Sequence, residues 1–163
     1  MRLDLIDRVT ELRLDERITA IKGLSMAEEY LQDHFPRFPV MPGVLMLEAM
    51  YQAAAWLVRA SDHFAHSMVV LSEASNVKFS DFVEPGETLV LQAEVLEHDE
   101  RSTKLKCQGT VDGSVAVRGR LALERYNLSQ TSDSCAVIDA SISKELEEKF
   151  RLLYPAWMSE TKI

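Results

Sequence analysis

The chain has 163 residues and a mass of 18.5 kDa, enough for one domain with a sizeable core. Its 47% apolar and 27% charged residues are ordinary for a globular protein. A formal net charge of -8, with no lysine- or arginine-rich stretch, argues against extensive phosphate-backbone contacts, so no nucleic-acid partner is expected.

The first residues lack the long apolar stretch of a secretory signal. The longest apolar run, residues 44–58, is broken by Glu48 and Gln52 and falls short of the roughly 20 residues of a membrane span. Cys107 and Cys135 do not make a disulfide framework, which leads to the expectation of free thiols in a reducing cytoplasm.

Residues 5–14 and 17–24 alternate in part and predict two antiparallel strands. A short helix is expected over residues 27–31. Residues 44–60 carry Ala, Leu, Met, Glu and Gln without internal Gly or Pro, and Pro42-Gly43 marks a helix start. Apolar residues surround nearly the whole circumference of that helix, so it should be covered on most sides.

Residues 68–79 are mixed. Residues 87–97 predict a strand, with Leu89, Leu91, Ala93 and Val95 at alternate positions. Segments 104–111 and 114–126 flank Asp112-Gly113, a two-residue hairpin signal, and place Val115, Val117, Gly119, Leu121 and Leu123 on one face. The construction is an α+β fold: a curved, mostly antiparallel sheet wrapped around one buried helix. Residues 129–135 read as a linker, and residues 143–154 as a helix capped by Ser143 with Leu146, Phe150 and Leu153 on its apolar side. The division expected is a body of residues 1–128 and an extension of residues 129–163.

The chemistry gathers in residues 34–52. Pro36, Pro39 and Pro42 stiffen the loop between His34 and Gly43. Gly43, as the first helical residue, offers an N–H without an intrahelical partner, suited to polarising a carbonyl oxygen. Glu48 and Gln52 lie four apart on one helix face. A buried Glu48 would favour its protonated form and suit a proton donor, Gln52 would orient it, and a neutral His34 would serve as base. The same residues also fit a packing histidine and a structural carboxylate, and residue chemistry by itself leaves both readings open.

The run His34-Phe35-Pro36, then Pro39-Val40-Met41-Pro42-Gly43-Val44-Leu45, then Glu48-Ala49-Met50 with Gln52 beyond, resembles the signature of the 3-hydroxyacyl-acyl-carrier-protein dehydratases in residue type and spacing. Weaker similarity covers residues 5–126. That resemblance implies a hot-dog fold, a homodimer or a higher oligomer of dimers, and two sites that each take the histidine from one subunit and the acid from the other. It implies His34 as base, Glu48 as acid, Gly43 as the polarising N–H and Gln52 as support. It further implies dehydration of a carrier-bound 3-hydroxyacyl thioester to a trans-2-enoyl thioester. No metal or nucleotide cofactor is implied, because the phosphopantetheine arm arrives with the substrate.

Two positions depart from the pattern: Asp33 stands where the family has glycine, and Tyr51 where it often has alanine. A related isomerising group carries a large aromatic at the Tyr51 position but generally Asp at the acid position, so Glu48 favours simple dehydration. Phe79, Phe82 and Tyr51 are candidates to line the acyl tunnel. Arg37, Lys78 and Arg118 are candidates to meet an acidic carrier protein. His63, His66, Asp62 and Glu73 read as ordinary polar residues and not as metal ligands, and Cys107 as a buried structural thiol. The alternatives carried are a hot-dog thioesterase or hydratase, and a non-catalytic binder of acyl thioesters.

Overall fold

Alternation along the chain becomes one six-stranded antiparallel sheet in the computed structural model, which describes residues 3–157. The strands are β1 (Arg8–Arg13), β2 (Arg17–Gly23), β3 (Met68–Phe79), β4 (Thr88–His98), β5 (Ser102–Val111) and β6 (Ser114–Tyr126). They lie in the order β1-β2-β4-β5-β6-β3, so β1 and β3 form the edges. Leu89, Leu91 and Ala93 turn inward from β4 while Gln92 and Glu94 face out, the two-residue period of a half-buried strand. Asp112 (φ 48°) and Gly113 (φ 82°) join β5 to β6 through the left-handed turn that fits strand twist.

Register shifts interrupt four of the strand pairings and bend the sheet into a trough. One of them corrects the expected inward face of β6. Between Gly109 and Thr110 the pairing passes from Val117 to Val115, so Ala116 is the extra residue. Ala116 and Val117 both become buried, and Val115 is left 36% exposed.

Helix α1 (Gly43–Ser61) lies in the trough and packs against β2 to β6. From Ala53 to Val58 every residue of α1 is buried, as its all-round apolar character requires. Here the architecture is the hot-dog fold: a long helix held in a curved antiparallel sheet. Among the described residues no helix is long and apolar enough to cross a membrane. The short helix expected over residues 27–31 is a single tight turn at Glu29–Gln32.

Two further expectations change at the ends of the chain. The first strand begins at Arg8, and not near residue 5, because the Leu5 N–H and Leu3 C=O bond to the Gln52 side chain instead of joining the sheet. Helix α2 (Ala136–Leu153) starts well before Ser143, which therefore lies inside the helix and caps nothing. Its first turn is anchored by Asp139, whose carboxylate accepts bonds from the Ser67 hydroxyl, the Leu128 N–H (2.9 Å) and the Ser129 N–H (2.8 Å). The expected linker is wound into two short turns, Leu128–Gln130 and Asp133–Cys135.

Phe150 secures the other half of α2. Its ring is fully buried, 5.4 Å from Trp56 of α1, 5.7 Å from Phe64 and 5.5 Å from Trp157. Leu146 and Leu153 are partly buried beside this cluster, so the predicted apolar side of the helix is the side that packs. Residues 158–163 of the extension lie outside the described residues. Cys107 is buried on β5, and burial pushes its thiol up to about 12, which suits an inert packing residue.

Burial opposes ionisation of Asp139, but its three hydrogen bonds dominate and hold the carboxyl down to about 2 from its ordinary 3.8. A folded-state pKa below the unfolded one contributes stability that is complete above the unfolded value and disappears as pH falls through the folded value. The stability gap between wild type and Asp139→Asn, from urea melts, is therefore expected to be widest above pH ~5 and to narrow between pH ~4 and pH ~2.

Candidate active site

The loop before α1 is built around backbone bonds of His34. Its N–H donates to the Tyr30 carbonyl (3.1 Å), and its own carbonyl accepts from Val40 N–H (3.1 Å). The half-buried imidazole stacks on Phe35 at 4.2 Å and turns Nδ1 to the Val40 carbonyl at 3.1 Å. A carbonyl can only accept, so Nδ1 carries the proton and neutral His34 presents Nε2 as a bare acceptor. Asp33 has φ -104° and ψ -21°, an ordinary right-handed conformation, so a side chain at this position brings no backbone strain. Its side chain is exposed.

Gly43 is the first residue of α1, where the N–H has no intrahelical acceptor and the helix dipole is positive. The space left by its missing side chain is taken by Phe79. A Cβ on Gly43 would meet the Phe79 ring at 3.1 Å, tighter than an ordinary contact. The glycine is thus matched to an aromatic ring at the end of β3, and Phe79 lies at the helix start. Phe82 joins the same end through an edge-on contact with Phe38 at 5.6 Å. Phe79 and Phe82 are 47% and 57% exposed, an apolar surface unusual enough to mark a place of contact.

Gln52 positions Glu48. Its Oε1 accepts from Leu5 N–H (2.9 Å), which fixes the orientation of the carboxamide. Nε2 then donates to the Leu3 carbonyl (2.9 Å) and to Glu48 Oε1 (2.9 Å). Glu48 is half-buried, not wholly enclosed, and opens into a cavity of about 150 Å³. Tyr51 also lines this cavity and donates its hydroxyl proton to the Val69 carbonyl (2.8 Å). Burial pushes the Tyr51 phenol up, the Arg59 cation pulls it down and the Glu48 charge pushes it up again.

The structure brings Glu48, Tyr51 and Gln52 together around one cavity and Phe79 against Gly43 at the start of α1, and it ties His34 to Val40 in the loop before that helix. His34 does not line the Glu48 cavity. Lys78 and Arg118 stand opposite each other across β3 and β6, and Arg37 is exposed on the loop before α1. His66 bonds Asp62 (3.1 Å), and the His63 ring lies 6.2 Å from Trp157.

Two groups around Glu48 were missed in the sequence. One is the backbone of Leu3 and Leu5, for which a lone carboxamide on an apolar helix is only a general hint. The other comprises Arg59 of α1 with Leu146, Lys149 and Leu153 of α2. Arg59 carried a usable signal, since Glu48, Gln52, Ala55 and Arg59 follow the spacing of a single helix face.

Comparisons with known proteins place this geometry in context. The FabA-like domain family matches residues 1–120. The 3-hydroxyacyl-[acyl-carrier-protein] dehydratase FabZ of Lactococcus lactis subsp. cremoris (strain MG1363) is 41% identical over 117 residues, spanning 72% of this chain and 81% of the relative. The protein of the same description from Lawsonia intracellularis (strain PHE/MN1-00) is 36% identical over 126 residues, spanning 76% and 82%. Among solved structures, the dehydratase heterocomplex ApeI:P from Xenorhabdus doucetiae matches with a TM-score of 0.64 at 20% identity, over 82% of this chain and 90% of that one. A mutant thioesterase from Pseudomonas aeruginosa shares the fold with a TM-score of 0.60 at 14% identity, over 74% and 81%.

The Gln52 clamp is open to a direct test. Gln52→Leu removes the partners of Leu5 N–H and the Leu3 carbonyl together. The expected loss in urea melts is about 1–3 kcal/mol, the range for part-buried groups left without a bond.

Proposed function

Because this chain belongs to the FabA-like family of hot-dog dehydratases, we propose that it converts 3-hydroxyacyl thioesters carried on acyl carrier protein into trans-2-enoyl thioesters and water. His34 Nε2 takes the proton from C2 of the substrate. The Gly43 N–H donates to the thioester oxygen as negative charge gathers there. Glu48 gives its proton to the C3 hydroxyl, the C3–O bond breaks, and water leaves as the C2–C3 double bond forms. The cycle closes when the proton held by His34 returns to Glu48.

The observation that carries this reading is the hydrogen bond from His34 Nδ1 to the Val40 carbonyl, which leaves Nε2 ready to accept a proton. The orientation of Gln52 supports it, since its donated bond to Glu48 Oε1 leaves Oε2 free to carry the transferable proton. His34 and Glu48 sit in separate neighbourhoods of one chain, which fits a site completed by a second copy. The exposed Phe79 and Phe82 beside Gly43 fit the same assembly and an acyl passage at its seam.

Charge on the outer face of the sheet supports a carrier partner. Lys78 stands across from Arg118, and Lys106 across from Arg120. These side chains line one shallow surface depression, and none of them has an ion-pair partner among the described residues. Lys78 directly precedes Phe79, so this basic face adjoins the strand end that reaches Gly43. An acidic carrier docked there would offset the repulsion expected from the overall charge of -8.

His34→Ala and Glu48→Gln are each expected to lower enoyl formation by about 100-fold or more, with folding retained. Release of free thiol without enoyl product would instead indicate a thioesterase. Unfolding and refolding the two inactive variants together should restore about a quarter of wild-type activity, since half the dimers are mixed and each has one intact site. Sites contained within single chains would give no recovery. Arg118→Glu with Arg120→Glu should raise KM for the carrier-bound substrate by about tenfold or more while leaving KM for the matching pantetheine thioester unchanged.

A further inference from the structure

Arg59 carries a half-buried guanidinium. No carboxylate lies within ion-pair distance of it among the described residues, and its Nε is buried without a hydrogen-bond partner. It reaches the Val69 carbonyl at a long 3.4 Å, an acceptor shared with the Tyr51 hydroxyl, and Tyr51 is its other polar neighbour. The Trp56 ring lies under it, 5.5 Å from ring centre to guanidinium carbon, and holds the planar fork in place. Five N–H donors so poorly employed are unusual for a cation this enclosed.

The position of Arg59 gives this vacancy meaning. It lines the same cavity as Glu48, on the same face of α1. Trp56, Leu146 and Leu153 supply apolar walls between and above them. The other cation of the cavity, Lys149, is neutralised by its ion pair with Asp4. A ligand entering beside Glu48 therefore finds apolar sides and, farther along, a cation that has no ion-pair partner among the described residues.

Resting on the dehydratase reading, we propose that this cavity is an acyl-end subsite whose Arg59 selects chains bearing a carboxylate at the end remote from the thioester. Leu146 and Leu153 come from α2, which lies beyond the residues matched by the FabA-like family, so the extension supplies a wall of the subsite. A carboxylate arriving there accepts two parallel bonds from the guanidinium, and the rest of the chain lies along Trp56 and the two leucines. Burial, which lowers the Arg59 pKa, is offset by the same anion.

Two measurements on the full-length protein test this separately from the dehydration chemistry. In the first, hexanoate and hexan-1-ol are titrated by calorimetry against wild type, Arg59→Met and Arg59→Lys. Arg59→Met keeps an aliphatic stem over Trp56, and Arg59→Lys keeps the charge but loses the fork. Hexanoate is expected to bind wild type about 10- to 100-fold more tightly than Arg59→Met, with Arg59→Lys between them and hexan-1-ol unaffected. Hexanoate binding that is absent from wild type, or equal in all three folded proteins, overturns the subsite.

In the second, 3-hydroxyacyl thioesters of equal length ending in methyl or carboxylate are compared. Wild type is expected to favour the carboxylate-ended substrate by about tenfold or more in kcat/KM, chiefly through KM, and Arg59→Met to abolish the preference. A wild-type preference for the methyl end, or one that survives Arg59→Met, overturns the assignment. Arg59-dependent hexanoate binding with no enoyl product from either substrate would sink the dehydration reading and uphold the anion site.

Discussion

A helix with apolar residues around nearly its whole circumference must be covered on most sides, and the rest of this fold is arranged to cover α1. The curved sheet encloses one side of it. Helix α2 closes over Trp56 and Phe64 through the buried ring of Phe150, and the N-terminal segment crosses near Gln52. The register shifts that bend the sheet are part of the same solution, because a flat sheet would leave the flanks of the helix bare.

The polar residues of α1 mark where these covers meet. Glu48, Gln52 and Arg59 lie on one face, at the seam between the N-terminal segment and α2. Gln52 is satisfied by backbone that would otherwise extend β1, so the edge of the sheet gives up length to hold the proposed acid. At the same seam Arg59 has no ion-pair partner among the described residues, and the proposed anion subsite follows from that imbalance. The proposed base, His34, belongs to a different construction. Its tautomer is set by a loop that folds back at Val40, just before the start of α1.

Much of this was legible in the chain. The strand alternation of Leu89, Leu91 and Ala93, the turn at Asp112-Gly113 and the all-round apolar helix predicted the fold, because each is a pattern among near neighbours. Residues 34–52 announced the candidate site by residue type and spacing. Inferences failed where a distant contact outweighed the local pattern. Val115 left the core because a bulge took Ala116 instead. Ser143 was not a cap because Asp139 had already anchored the helix upstream. The first strand starts later than expected because Gln52 holds the Leu5 N–H and the Leu3 carbonyl.

The sequence by itself therefore determined the architecture, the family motif and most of the candidate side chains, since periodicity, turn chemistry and spacing are short-range properties. Only the tertiary structure decided how those side chains are held and what stands beside them. Gln52 reaches back 47 and 49 residues to Leu5 and Leu3, and Lys149 reaches back 145 residues to Asp4. Phe79 covers Gly43 from the far end of β3, and α2 walls the cavity that Glu48 and Arg59 line. No local pattern encodes such partnerships, because they exist only once the helix has been enclosed and remote segments share its surface.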